Sequence, residues 1–106
     1  MTNKTKPKTF FELIQTSKKP VLVDFYADWC GPCKMVSPAI EKVAKDFSGK
    51  VMTVKINVDK AQAAAAKYMI RSIPTIMMFK NGESIMRLTG AQPYEVIKKE
   101  VEKNLL

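Results

Sequence analysis

Cys30 and Cys33 are the only cysteines in the chain, and only Gly31 and Pro32 stand between them. Two thiols at this spacing can reach each other and close a small disulfide ring. A purely structural disulfide here would close a tiny loop and stabilise little. Half of a zinc site would need two further ligands, and the chain has no other Cys and no His. Only a second copy of the chain could then complete it. Covalent haem attachment wants His directly after the second Cys, where Lys34 stands. Reversible dithiol–disulfide chemistry is the reading that the pair favours. The absence of histidine also removes Ser-His-Asp and Cys-His catalysis and haem ligation by His.

The surrounding elements fit that chemistry. Val21 to Ala27 is apolar on both faces except at Asp24, which marks a strand central in a covered sheet. A turn over Asp28 to Gly31 follows, and Pro32 suits the first turn of a helix, where a missing N–H costs nothing. Val36, Ile40, Val43 and Phe47 continue that helix at its 3.6 period, Ser48-Gly49 close it, and Pro38 should kink it. Upstream, Thr9 and Glu12 have capping-box spacing for a short helix near 9–17. Downstream, Met52, Val54, Ile56 and Val58 alternate as a strand, and Asp59 reads as the cap of a helix through the alanine run 63–66. Residues 75–80 and 84–89 form a hairpin around Asn81-Gly82, and Pro93 opens a last helix with Tyr94, Ile97, Val101 and Leu105 on one face. The six internal methionines read as core filler.

The order α-β-α-β-α-β-β-α predicts an α/β fold. Strand–helix–strand units give parallel pairs, and the hairpin adds one antiparallel pair. The result is a mixed central sheet of four to five strands flanked by about four helices, in a single domain over 1–106. Residues 1–8 read as a weak edge strand or a loose tail.

The helix start sets the two thiols apart. A helix N-terminus favours negative charge and therefore a thiolate. Cys30 should face solvent just beyond that end and act as nucleophile. Cys33, in the first turn, should point inward and act as the resolving thiol. Asp24 interrupts the apolar run, where an unpaired charge costs several kcal/mol. Either it bonds backbone at a strand end, or it is a carboxyl of raised pKa that exchanges a proton with Cys33.

The stretch from Val23 through Asp24, Trp29, Cys30, Gly31, Pro32 and Cys33 to Lys34 resembles the thioredoxin family. Pro38, residues 55–59, Ile73-Pro74-Thr75, residues 79–82 and Gly90-Ala91 match in the same order, across about residues 21–100. The resemblance implies a thioredoxin fold and a general protein-disulfide reductase working through a reversible Cys30–Cys33 disulfide. It implies no bound cofactor or metal, with electrons drawn from NADPH through a flavoprotein thioredoxin reductase. Clients would be disulfide proteins of the ribonucleotide reductase, peroxiredoxin or methionine sulfoxide reductase type. Gly31 and Pro32 tune the potential towards the reductant branch. The resemblance also gives Asp24 its proton-exchange role, places Lys55 near it as a tuning residue, and makes the bond before Pro74 cis. Trp29, Ile73, Gly90 and Ala91 would form a flat docking rim. Two departures stand out: residues 1–8 lack an apolar first strand, and Tyr26 stands where the family often has Trp.

Lys and Arg number 18 against 10 Asp and Glu, a net charge of +8. Residues 1–20 carry five of the lysines and only Glu12 in opposition. No aromatic residues interleave with a basic stripe, so a nucleic-acid partner is not expected. The charge reads as solubility or as attraction to acidic partners. Apolar runs such as Ile76-Met77-Met78-Phe79 fall far short of the roughly 20 residues of a membrane span. The polar residues 1–8 do not read as a secretory signal. A cytoplasmic monomer is the expectation.

Overall fold

A computed structural model describes residues 9–106. The expected tail or edge strand at 1–8 lies outside them. Four helices and four strands alternate: α1 (Phe10–Thr16), β1 (Val21–Tyr26), α2 (Gly31–Asp46), β2 (Met52–Asn57), α3 (Gln62–Lys67), β3 (Thr75–Lys80), β4 (Glu83–Thr89) and α4 (Tyr94–Lys103). The chain has an α/β fold, with a mixed sheet in the order β2-β1-β3-β4.

Alternation along the two inner strands divides the core. Leu22, Ile76 and Met78 face α2 and α4, where Val36, Ile40, Val43, Ile97 and Val101 meet them. Val21, Val23, Phe25, Met77 and Phe79 face α1 and α3. On that second face Phe10 meets Phe25, Phe79 and Tyr68 edge to face, at centroid distances of 6.0, 5.6 and 6.0 Å. α1 starts at Thr9, whose hydroxyl accepts from the Glu12 N–H at 3.1 Å. Asn81 and Gly82, at φ 53° and 83°, make the hairpin turn that the right-handed strand twist prefers. The Tyr94 hydroxyl donates to Asp46 and ties α4 to α2. That bond pushes the Tyr94 pKa up to about 12.

Three expectations change. β1 pairs parallel with β2 but antiparallel with β3, so the sheet has two antiparallel pairs where one was expected. The six-residue α3 spans about 9 Å, against about 20 Å for a strand of that length. It therefore does not carry the chain back down the sheet, and β3 enters from the end where β2 left. Asp59 does not cap α3: the cap position is Ala61, with no side-chain bond. The methionines divide as well. Met77, Met78 and Met86 are buried, whereas Met35, Met52 and Met69 are exposed.

Candidate active site

β1 ends under the N-terminus of α2, and the turn between them delivers both thiols. Cys30 is the N-cap of α2. Its Sγ accepts the Cys33 backbone N–H at 3.2 Å. Sulfur here takes the place that a Ser or Asp oxygen fills in an ordinary cap, and it lies where the helix dipole favours an anion. The two sulfurs are bonded, with Cα atoms 5.3 Å apart. That separation falls inside the usual disulfide range.

Cys30 does not face solvent as its sequence position suggested. Both cysteines are 3% exposed. Tyr26, Val58 and Ile73 pack against them and Ala27. Cys30 Sγ lies 3.8 Å from the Ile73 carbonyl oxygen.

The Ile73–Pro74 peptide bond is cis. Pro74 is buried at the entrance to β3. Its carbonyl accepts the Gly90 N–H at 2.8 Å, with Gly90 at φ 89° at the end of β4. Ser72 is held by the Thr75 hydroxyl, which donates to its carbonyl at 2.7 Å. Ile73 and Gly90 thus stand on either side of Pro74, and Ala91 follows exposed. Trp29 is 70% exposed, yet its indole N–H donates to Asp59 Oδ2 at 2.9 Å. This is the role that Asp59 takes instead of capping.

Asp24 lies beneath α2, 1% exposed, and neither carboxyl oxygen has a hydrogen-bond partner. It is therefore not a strand-end residue bonded to backbone. Burial raises its pKa from 3.8 to about 6, against the pull of Lys55 in the other direction. Lys55 is its register partner on β2. Lys55 is exposed, with Nζ 4.8 Å from the Tyr26 ring centroid. A cavity of about 180 Å³ beside α2 is lined by Cys33, Ser37, Tyr26, Asp28 and Lys55 among others. Lys55 and Cys33 thus reach the same space.

The sequence reading took Met35 for core filler and did not mention Ser37. Met35, 76% exposed, lines a groove of about 460 Å³ with Pro38, Ala91, Pro93 and Tyr94. Its position off the Val36–Ile40–Val43 stripe is the signal that places it outside the core. Ser37 enters the cavity beside Cys33, and nothing in a lone serine on a helix marks it. Among the described residues no cluster of three or more His, Cys, Asp or Glu could hold a metal ion.

A family model described as Thioredoxin matches residues 1–103. The chain is 46% identical over 96 residues to "Thioredoxin 1" of Chlorobaculum tepidum, covering 91% of this chain and 95% of that protein. It is 44% identical over 97 residues to "Thioredoxin 1" of Nostoc sp., covering 92% and 91%. Against "Thioredoxin M-type, chloroplastic" of Spinacia oleracea the identity is 47% over 94 residues, or 89% of this chain and 52% of that protein.

Proposed function

The chain belongs to the thioredoxin family and is a protein-disulfide reductase, and we propose that it is a general one, in which Cys30 attacks and Cys33 resolves. The observation that carries this division is the Cys33 N–H aimed at Cys30 Sγ at the start of α2. That bond and the helix dipole stabilise negative charge on Cys30, and the thiolate is the attacking species.

The reduced pair works in two steps. Cys30 thiolate attacks one sulfur of a client disulfide, and the other client sulfur leaves as a thiolate. Cys33 then loses its proton and attacks Cys30 Sγ. The Cys30–Cys33 bond forms, the bond to the client breaks, and the client leaves with two electrons. Tethering makes this second step intramolecular, a large gain in effective concentration.

Asp24 takes the Cys33 proton in this reading. Its pKa of about 6 keeps it close to neutrality, where it can both accept and return a proton. Lys55 sets that pKa by opposing the effect of burial. Trp29, Ile73, Gly90 and Ala91 seat the client beside cis-Pro74, while Gly31 and Pro32 tune the potential.

The family acts with reductases and disulfide clients. For this chain we assign electrons from NADPH through a flavoprotein reductase, and a broad client set of the ribonucleotide reductase, peroxiredoxin or methionine sulfoxide reductase type. Residues 1–106 read as one domain and as a monomer. No helix among the described residues is long and apolar enough to cross a membrane. We assign the cytoplasm as its compartment.

Turnover of several unrelated protein disulfides with NADPH and a thioredoxin reductase tests the reading. Wild type should reduce all of them, and Cys30→Ser and Cys33→Ser none. Turnover of a single client would make it a dedicated reductant.

A further inference from the structure

Met35, Pro38 and Lys42 follow one another at helical spacing along an exposed stripe of α2, and the client chemistry above gives them no part. They line the groove of about 460 Å³ together with Ala91, Pro93 and Tyr94. Tyr94, the first residue of α4, reaches across to α2. Its ring lies 4.1 Å from Lys42 Nζ, and its hydroxyl donates to Asp46 one turn further on.

The lining says what would fit. Met35, Pro38, Ala91 and Pro93 offer apolar surface. Methionine is unbranched and has three rotatable bonds, so Met35 can shape itself to different apolar side chains. Lys42 is the one charged residue in that lining. Its ammonium rests on a ring, and no carboxylate pairs with it among the described residues. Asp46, the acid nearest along the helix stripe, is already engaged by Tyr94. Ala91 belongs both to this groove and to the proposed docking rim, so the groove begins where the rim ends.

We infer that the groove is a second docking subsite for disulfide clients and that it takes an acidic client segment, with an apolar side chain against Met35 and Pro38 and a carboxylate on Lys42. The inference rests on the proposed reduction of clients through Cys30 and on the rim at Ala91. The helix sets the spacing. At about 1.5 Å per residue, Met35 lies about 7 Å and Lys42 about 18 Å along α2 from Cys30. An extended client strand covers about 3.3 Å per residue. The apolar side chain therefore falls about three residues from the client cysteine, and the acid about five or six.

Synthetic peptides with one cysteine, held as its disulfide with 2-mercaptoethanol, test this against the reduced full chain. Reduction releases the peptide thiol and mercaptoethanol, while Cys30 and Cys33 become the disulfide. One peptide carries Leu three residues and Glu five and six residues from the cysteine, on both sides of it. A second has Lys for Glu, and a third has Ser for Leu. Rates are read by acid quench and mass spectrometry at about 0.15 M ionic strength, where charges more than about 8 Å apart are largely screened. Wild type should reduce the Glu peptide about 2- to 5-fold faster than the Lys peptide, the scale of one exposed ion pair. Lys42→Gln should remove that preference, and Lys42→Glu should invert it. A misfolded variant slows both peptides but does not exchange their order. The Ser peptide should react about 3- to 10-fold more slowly than the Leu peptide, as for a half-buried leucine, and Met35→Gln should narrow that gap. If wild type reduces all three at one rate, or if Lys42→Gln keeps the preference for Glu, the subsite is wrong and reduction through Cys30 stands. If wild type reduces none of them, the reductase reading fails and the subsite fails with it. Self-association in sedimentation that Lys42→Glu abolishes would assign the groove to a second copy of the chain and overturn the client assignment.

Discussion

Asp24 and Lys55 are register partners across the parallel β1–β2 pair, yet Asp24 is buried and Lys55 reaches water. The lysine lowers the carboxyl's pKa without overcoming burial, and the balance leaves it at about 6. The folded state therefore holds this proton more tightly than the unfolded state does. Asp24 costs the fold nothing below its unfolded value and an increasing amount as pH rises from 3.8 to about 6.

Asp24→Asn should accordingly stabilise the protein, with an advantage that grows over that window and levels off above it. A carboxyl raised from 3.8 to about 6 costs the fold about 3 kcal/mol at neutral pH, and the Asn variant escapes that cost. Denaturant unfolding of both forms across pH measures it. Lys55→Gln should raise the Asp24 midpoint further, which carboxyl NMR titration reads directly. A less stable Asn variant at neutral pH would mean that Asp24 is ionised and well bonded in solution.

The two thiols should differ in reactivity. Cys30 carries the helix-start bond from Cys33. In the reduced protein it should be alkylated by iodoacetamide much faster than Cys33 near neutral pH. Cys33→Ser should accumulate mixed disulfides with clients, and Cys30→Ser should not. Mass spectrometry of the labelled peptides distinguishes them, and equal rates would remove the assignment.

Met69 should be replaceable with profit. α3 ends in a paired cap, with Ile70 N–H bonding the Ala65 carbonyl at 2.9 Å and Met69 N–H the Ala66 carbonyl at 3.1 Å. That motif needs a left-handed residue, and Met69 takes it at φ 53° while 61% exposed. A side chain in this region costs about 1–2 kcal/mol, which glycine avoids. Glycine also loses more chain entropy on folding, so Met69→Gly should gain about 1 kcal/mol net. Urea unfolding checks it, and a loss of stability would show that the Met69 side chain packs.

The charge of +8 should act on encounter more than on chemistry. If lysines steer acidic partners, the second-order rate with the reductase falls as salt shortens the Debye length from about 30 Å at 0.01 M to about 8 Å at 0.15 M. The intramolecular step, in which Cys33 expels the client from Cys30, should stay constant over the same range. A salt-independent encounter rate would leave solubility as the role of the charge.

The sequence by itself determined the elements and the chemistry. Apolar periodicity marked α2, a continuous apolar run marked β1, and Asn81-Gly82 marked the hairpin, because these are local signals set by side-chain direction and turn sterics. Cys30 and Cys33 lie within one helical turn, so their partnership was legible without a fold. Asp24 was visible as a charge inside an apolar run. Relationships between distant segments were not legible. The antiparallel β1–β3 pair followed from the short reach of α3. The burial of Cys30 came from Ile73, 43 positions away, and the engagement of Trp29 by Asp59 came from 30 positions away. Solvent exposure decided that Met35 belongs to a surface groove, and the packing of α2 over β1 and β2 decided that Ser37 shares a cavity with Cys33 and Lys55. Local propensity carries no information about which distant surface will cover a residue, and that coverage sets its burial, its partners and its pKa.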